Sequence, residues 1–237
     1  MKKMTNKGIA QIAVGAIMAA ILAACGGGGD SSNSGNAGNS GNSDTTMANG
    51  VAAVGAPIAG GTVSLRCASG TTATATTGTD GTWKASLKSS DYPCVIRVSG
   101  GQANGKALSS SLYSVVTGAG TANITPLTDL MVGIMSGSTP SAWFDSATND
   151  DLSSKISATA LSNAQDKLKE TLASLPGKPA LPANFNPVTS TFSAQNGDAG
   201  DDLLESYGAA LTSAGLTQTE AAGNASTGKP GRVRTFV

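Results

Sequence analysis

The sequence predicts a mainly β fold with helices appended: an antiparallel β-sandwich, then a small helical region, behind a disordered polar tether at the N-terminus. Three observations carry this. Residues 50–124 run as short alternating apolar and polar stretches separated by Gly, Asp and Pro, which is how strands with one buried face read. At residue 125 the spacing of apolar positions changes from two to nearly four, the helical period. Residues 26–48 are almost all Gly, Ser and Asn, which cannot bury enough apolar surface to offset the entropy of ordering them.

The first 24 residues have the three-part layout of a secretory signal. Lys2, Lys3 and Lys7 precede the apolar stretch 9–23, which ends at the small pair Ala23-Ala24. That stretch is shorter than the roughly 20 residues a spanning helix needs, and Gln11 interrupts it. "LAAC" at 22–25 resembles a bacterial lipobox. The resemblance implies that Cys25 becomes the triacylated first residue of an exported lipoprotein, and that Gly26 in place of Asp directs it to the outer membrane. The covalent lipid on Cys25 is the only cofactor-like group expected, and an ordinary signal peptide with an incidental cysteine is the alternative. Each buried CH₂ contributes about 0.8 kcal/mol, so two or more chains anchor stably. The tether over 25–48 has a root-mean-square reach of about 25 Å, enough to hold a domain clear of the headgroups. That reach leaves both the periplasmic side and the cell surface open.

The sandwich is placed at 49–124. Val63, Leu65 and Cys67 share one face of "TVSLRC", with Ser64 and Arg66 opposite. Trp83, Ala85 and Leu87 share a face of the next strand, with Lys84 and Lys88 opposite. Cys94, Ile96 and Val98 share a face of the third, with Arg97 outward. Asp80-Gly81 reads as a hairpin turn, because Gly tolerates positive φ. Cys67 and Cys94 lie on inward faces of an exported chain, which predicts a disulfide across the core. A redox role is not expected, since the C-x-x-C spacing is missing.

"GAPIAGGTVSL" (55–65), "TATTGTDGTWKASL" (74–87) and "YPCVIRVSG" (92–100) together resemble the carboxypeptidase regulatory-like, or transthyretin-like, seven-stranded β-sandwich. With "SLYSVVTGAGTANITPLTDLMV" (111–132), Cys67 and Cys94 also resemble a group of proteobacterial envelope lipoproteins. The resemblance covers about residues 50–135. It implies that Trp83 is a core residue and Asp80 a turn residue, neither catalytic, and that the module is structural or binding.

The helical region is placed at 125–216. Thr125 can cap a first helix, Pro126 suits its first turn, and Leu127, Leu130, Met131, Ile134 and Met135 form one stripe ended by Gly137. A second helix is expected to start after Asn149-Asp150-Asp151 and run to Pro176, with Ile156, Ala160, Ala164, Leu168 and Leu172 spaced by four. Four prolines make 176–190 an extended linker. A third helix is expected from about Asp201 to Ala214, and "TQTE" at 217–220 fits a capping box for a short fourth. That helix and a loose tail make up 217–237.

Removing the signal leaves 12 basic residues against 15 acidic ones, a balance that excludes nucleic acid as a partner. The chain has no histidine, so the commonest general base and metal ligand is missing. Asp198, Asp201 and Asp202 in "NGDAGDD" form a weak calcium candidate, but Asp201 stands where an EF-hand loop needs glycine. The competing reading, favoured here and also at Asn149-Asp150-Asp151, is that these acids cap helices. "SSK" at 153–155 offers no Ser-Lys pair, and 4% aromatic residues leave few platforms for sugar stacking. Trp143-Phe144 is read as a hydrophobic plug or, alternatively, as an exposed binding patch. The expectation is a non-catalytic binding or scaffolding module in the envelope or at the surface, with a protein or glycan partner. The alternatives are a carboxylate-dependent hydrolase and a calcium-dependent adhesion module.

Overall fold

The computed structural model describes residues 44–229, a mixture of β-sheet and six helices. Strand β1 (Thr45–Val51) begins where β-branched Thr45 and Thr46 follow the Gly/Ser/Asn run. It pairs antiparallel with β4 (Thr82–Lys88) along its whole length. Thr45–Ala48 therefore belong to a strand, whereas the sequence assigned them to the tether; the buried Ala48 and the β4 ladder hold them in place.

The remaining strands are β2 (Thr62–Cys67), β3 (Thr72–Thr76), β5 (Cys94–Ser99), β8 (Leu112–Val116) and β9 (Gly120–Thr121), with a small hairpin of β6 (Gln102–Ala103) and β7 (Lys106–Ala107). One sheet has the order β4-β1-β9 and the other β3-β2-β5-β8. Their facing sides share a core: Trp83, Ala85 and Leu87 of β4 meet Val63, Leu65, Ile96 and Val98 of the second sheet. The inward sets are those read from alternation.

Two pairings differ from expectation. Asp80-Gly81 does not close a hairpin, because β3 pairs with β2 and β4 with β1. The turn passes the chain from one sheet to the other, with Asp80 accepting from the Thr82 N–H at 3.0 Å and its hydroxyl at 2.7 Å. A turn motif encodes the local reversal and not the partner of the strand that follows. The fold is also not purely antiparallel, since β1 and β9 run parallel. After β8 the chain crosses to the open edge of β1, where Ala122 N–H donates to the Asn49 carbonyl at 2.6 Å and Ile124 N–H to that of Val51 at 2.9 Å. Gly50 allows this approach: a Cβ there would overlap the Ala122 carbonyl.

The Cys67–Cys94 disulfide is present. The expectation of a bond across the core is not met: Cys67 and Cys94 are register partners on adjacent strands β2 and β5, so the bond staples one sheet. Beside it Asp91 accepts from the Lys88 N–H at 2.7 Å, the Thr71 hydroxyl at 2.8 Å and the Ser69 hydroxyl at 3.1 Å. Those donors hold its carboxyl below the usual range, the Lys88 N–H foremost.

Six helices follow: α1 (Pro126–Ser136), α2 (Pro140–Ser146), α3 (Asn149–Lys155), α4 (Ala158–Ser174), α5 (Ala199–Ala214) and α6 (Gln218–Ser226). Thr125 caps α1, and Gly137 ends it at φ 69°. The expected second helix is two. Thr148 caps α3 ahead of Asn149, and Ser157 breaks the run by capping α4 through the Ala160 N–H, a local bond that competes with helix continuation. Helix α2 was not foreseen; Thr139 caps it and Pro140 opens it. Thr217 and Glu220 form the capping box of α6.

The helices cover the second face of the four-stranded sheet. Val95, Tyr113 and Val115 pack with Leu127, Leu130, Phe144, Leu168, Leu172 and Tyr207 in a second core. Arg66 and Arg97 therefore face α2, where the alternation pattern had turned Arg97 to solvent. Arg66 donates to the Phe144 carbonyl and, at 2.9 Å, to that of Ala147, satisfying the end of α2. The Arg97 guanidinium lies 4.5 Å from the Phe144 ring centroid and 3.8 Å from Asp145 Oδ1. Among the described residues no helix is long and apolar enough to cross a membrane.

Two substitutions test this architecture. Gly50→Ala is expected to cost about 1–3 kcal/mol by forcing β1 and the 120–124 segment apart, read from the urea midpoint. The double variant Cys67→Ala/Cys94→Ala, which opens a loop with a sequence separation of 27, is expected to lose about 3 kcal/mol in the same assay under non-reducing conditions.

Candidate functional site

Two concave places carry chemistry, on opposite sides of the sheets. The first is a cleft of about 860 Å³ on the outer face of the three-stranded sheet. Its floor is the wet face of that sheet, with Met47, Asn49 and Val51 from β1 and Thr82 and Lys84 from β4. Its wall is Thr191 and Phe192, on the proline-rich segment after α4. That segment is pinned by buried Asn123, whose side-chain amide donates to the Ser190 carbonyl at 2.7 Å and the Pro187 carbonyl at 3.3 Å. Its carbonyl accepts from the Val51 N–H at 3.2 Å. Phe192 is fixed edge-on against Phe185, with ring centroids 6.4 Å apart. The segment 176–190, expected as an extended linker, is therefore held to the fold, with Val188 buried, and Phe192 just beyond it is buried too. Met47, 41% exposed, is the large exposed hydrophobic residue among the described ones, and it lies in this cleft.

The second place is a cleft of about 200 Å³ where α1, α2 and α6 meet the start of β8. Asp129 of α1 lines it while being only 3% exposed. Its Oδ2 accepts from Gln218 Nε2 at 2.8 Å, and the same amide donates to the Pro126 carbonyl at 3.0 Å. Gln218 Oε1 accepts from the Tyr207 hydroxyl at 3.0 Å. Asp129 Oδ1 is buried and has no hydrogen-bond partner. Burial pushes the Asp129 carboxyl up to about 7, against the smaller opposing effects of the Gln218 amide and the Tyr113 backbone N–H. Burial also raises Tyr207, and the Asp129 charge adds to this. Tyr113, on the cleft wall, is raised by burial too.

The residues singled out in the sequence fare differently. Cys25 lies outside the described residues, as do the signal stretch and residues 230–237. Cys67 and Cys94 are joined. Asp198, Asp201 and Asp202 do not converge: among the described residues no group of three or more His, Cys, Asp or Glu side chains is placed to hold a metal ion. Their carboxylates serve the backbone or the interior instead. Asp198 caps α5, accepting from the Gly200 N–H at 2.8 Å and the Ser193 N–H at 3.0 Å. Asp202 accepts from the Gly197 N–H at 3.2 Å, and Asp201 is buried. Trp143 and Phe144 are each 4% exposed, so they are not an exposed patch. They plug α2 onto the sheet, with Phe144 5.7 Å from the Tyr113 ring.

Sequence reasoning missed Asp129, Tyr207 and Gln218 as one assembly. A signal was present: Asp129 is the one acid in "PLTDLMVGIM", whose residues on every side are apolar or small. An acid so flanked is a candidate for a buried polar contact.

No family model matches the chain, no curated protein matches it, and no solved structure matches it.

The raised Asp129 carboxyl has a sign that can be checked. An acid whose folded pKa lies near 7, above its unfolded value of about 3.9, holds a proton in the folded state that the unfolded state has released. Its contribution is therefore complete below about pH 4 and is lost as pH rises to about 7. Urea unfolding is expected to show stability falling by a few kcal/mol across that window, and Asp129→Asn is expected to flatten that part of the profile.

Proposed function

We propose that this chain is an exported, lipid-anchored envelope protein whose folded part is a non-catalytic binding or scaffolding module. The observation that carries the binding role is the sheet-face cleft with Met47 in its floor: an exposed hydrophobic residue within a preformed, partly apolar concavity of ligand size. The Cys67–Cys94 disulfide supports export, because such bonds form and persist in oxidising compartments. The lipobox at Cys25 and the tether after it support anchoring to the outer membrane through acyl chains. The resemblance to carboxypeptidase regulatory-like, transthyretin-like sandwiches agrees with the 3-plus-4 division of strands, although the parallel β1–β9 pair departs from a wholly antiparallel pattern.

In this reading the cleft receives an extended glycan or protein segment. Met47, Val51 and Phe192 supply apolar contact, and Asn49, Thr82 and Lys84 supply hydrogen bonds and one positive charge. The side chains around it have no pair of facing carboxylates of the kind a glycosidase uses, which sets binding ahead of hydrolysis.

Two experiments test the reading. Cys25→Ser is expected to move the protein from the membrane to the soluble fraction; retention at the membrane contradicts lipid anchoring. Met47→Lys, placed on an exposed strand position, is expected to weaken capture of envelope glycans and proteins at least tenfold without lowering the melting temperature. Turnover of any of those ligands by the unaltered chain would replace the binding reading with a hydrolase.

A further inference from the structure

The sequence contains three Asn-Gly pairs: Asn49-Gly50, Asn104-Gly105 and Asn196-Gly197. Asparagine side-chain amides are chemically labile, most of all ahead of glycine, where no Cβ shields the next backbone nitrogen from the amide carbon. By sequence the three rank alike, but the fold separates them. Asn49-Gly50 lies inside β1, which is paired on both edges. The Asn49 carbonyl receives the Ala122 N–H at 2.6 Å, and Gly50 packs against the Ala122 carbonyl, so turning that peptide means breaking the three-stranded sheet. At Asn196-Gly197 the glycine N–H donates to Asp202 Oδ1 at 3.2 Å, beside the Asp198 cap of α5.

Asn104-Gly105 is the two-residue tip of the β6–β7 hairpin, with φ of 51° and 71°, the signature of a type I′ turn. Both residues are exposed. Among the described residues neither the Asn104 side chain nor the Gly105 N–H has a hydrogen-bond partner. The ribbon beneath consists of Gln102 paired with Ala107 and Ala103 with Lys106, and a two-stranded ribbon so short opens at low cost.

We propose that Asn104 is a self-modifying site, losing its side-chain amide to attack by the Gly105 nitrogen, while Asn49 and Asn196 keep theirs in the folded chain. The Gly105 N–H yields its proton to hydroxide, and its nitrogen attacks Asn104 Cγ. A C–N bond forms and closes a five-membered imide. The bond from Cγ to the side-chain nitrogen breaks; that nitrogen takes a proton from water and leaves as ammonia, which restores the hydroxide. Water then opens the imide at either carbonyl, leaving an aspartyl or isoaspartyl residue at position 104. The net change consumes one water, releases one ammonia and alters no oxidation state. Ring closure takes the Asn104 backbone out of the I′ turn, so the cost of opening the hairpin sets the rate. Conversion places a negative charge near Lys106, and the isoaspartyl form adds a carbon to the main chain, which a two-residue turn does not accommodate. Gln102 stays tied to Ala59 by bonds of 2.8 and 2.9 Å, so the change is confined to the tip. The site is independent of the sheet-face cleft, whose Asn49 keeps its amide.

The test is peptide mapping by mass spectrometry after incubation of the full chain at pH 8, folded and, in parallel, reduced and unfolded in guanidinium chloride. In the folded chain, deamidation at position 104 is expected to run at least tenfold faster than at 49 or 196. In the unfolded chain the three positions are expected to convert at similar rates. Asn104→Ser is expected to remove the product at 104 and leave the rates at 49 and 196 as they were. A folded-state rate at 104 no faster than that at 49 or 196 overturns the proposal. So does a preference for 104 that is as large in guanidinium chloride as in the fold, which places its cause in the sequence.

Discussion

The four-stranded sheet has an apolar core on each face, and the place of the helices, with the Asp129 cleft among them, follows from that. On one side Val63, Leu65, Ile96 and Val98 meet the three-stranded sheet; on the other Val95, Tyr113 and Val115 meet the helices. A sheet covered on both sides cannot leave cations on either face without partners. Arg66 and Arg97 are reconciled with burial by α2, whose last carbonyls receive Arg66 and whose Phe144 and Asp145 receive Arg97. The short helix is thus an electrostatic lid on the sheet as much as a hydrophobic one, and it sets one wall of the Asp129 cleft through Pro140.

The same constraint explains what could be read in advance. Capping chemistry is local, so α1 with Thr125 and Gly137, and α6 with Thr217 and Glu220, were legible from a few residues each. Inward faces of β2, β4 and β5 were legible from alternation. What alternation cannot express is a second core: β8 is buried at all five positions, and a polar residue such as Arg97 reads as outward whether it meets water or a helix. Strand partners are equally remote in sequence. β1 lies between β4 and β9 because the chain returns to it from far away, and nothing near Asp80-Gly81 records that choice.

The break at Ser157 and the assembly around Asp129 show a further limit. Ser157 falls inside the run expected as one helix, yet its hydroxyl accepts from the Ala160 N–H at 3.1 Å and starts a new one. Tyr207 and Gln218 come from the consecutive helices α5 and α6, but Asp129 lies far away in sequence on α1. Only packing brings them together. The oddity of a lone acid in an apolar helix was visible, but its partners were not.

Strand β1 has one more property that follows from its place in the sheet. It is the first described element, and it is hydrogen-bonded on both edges, to β4 from Thr45 to Val51 and to β9 at Ala48 and Asn49. A pull on Thr45 directed along the strand meets both ladders at once. The ladder bonds are then loaded in shear, all together, instead of being peeled one at a time. Pairing on both edges is thus what β1 sets against a pull along its own axis.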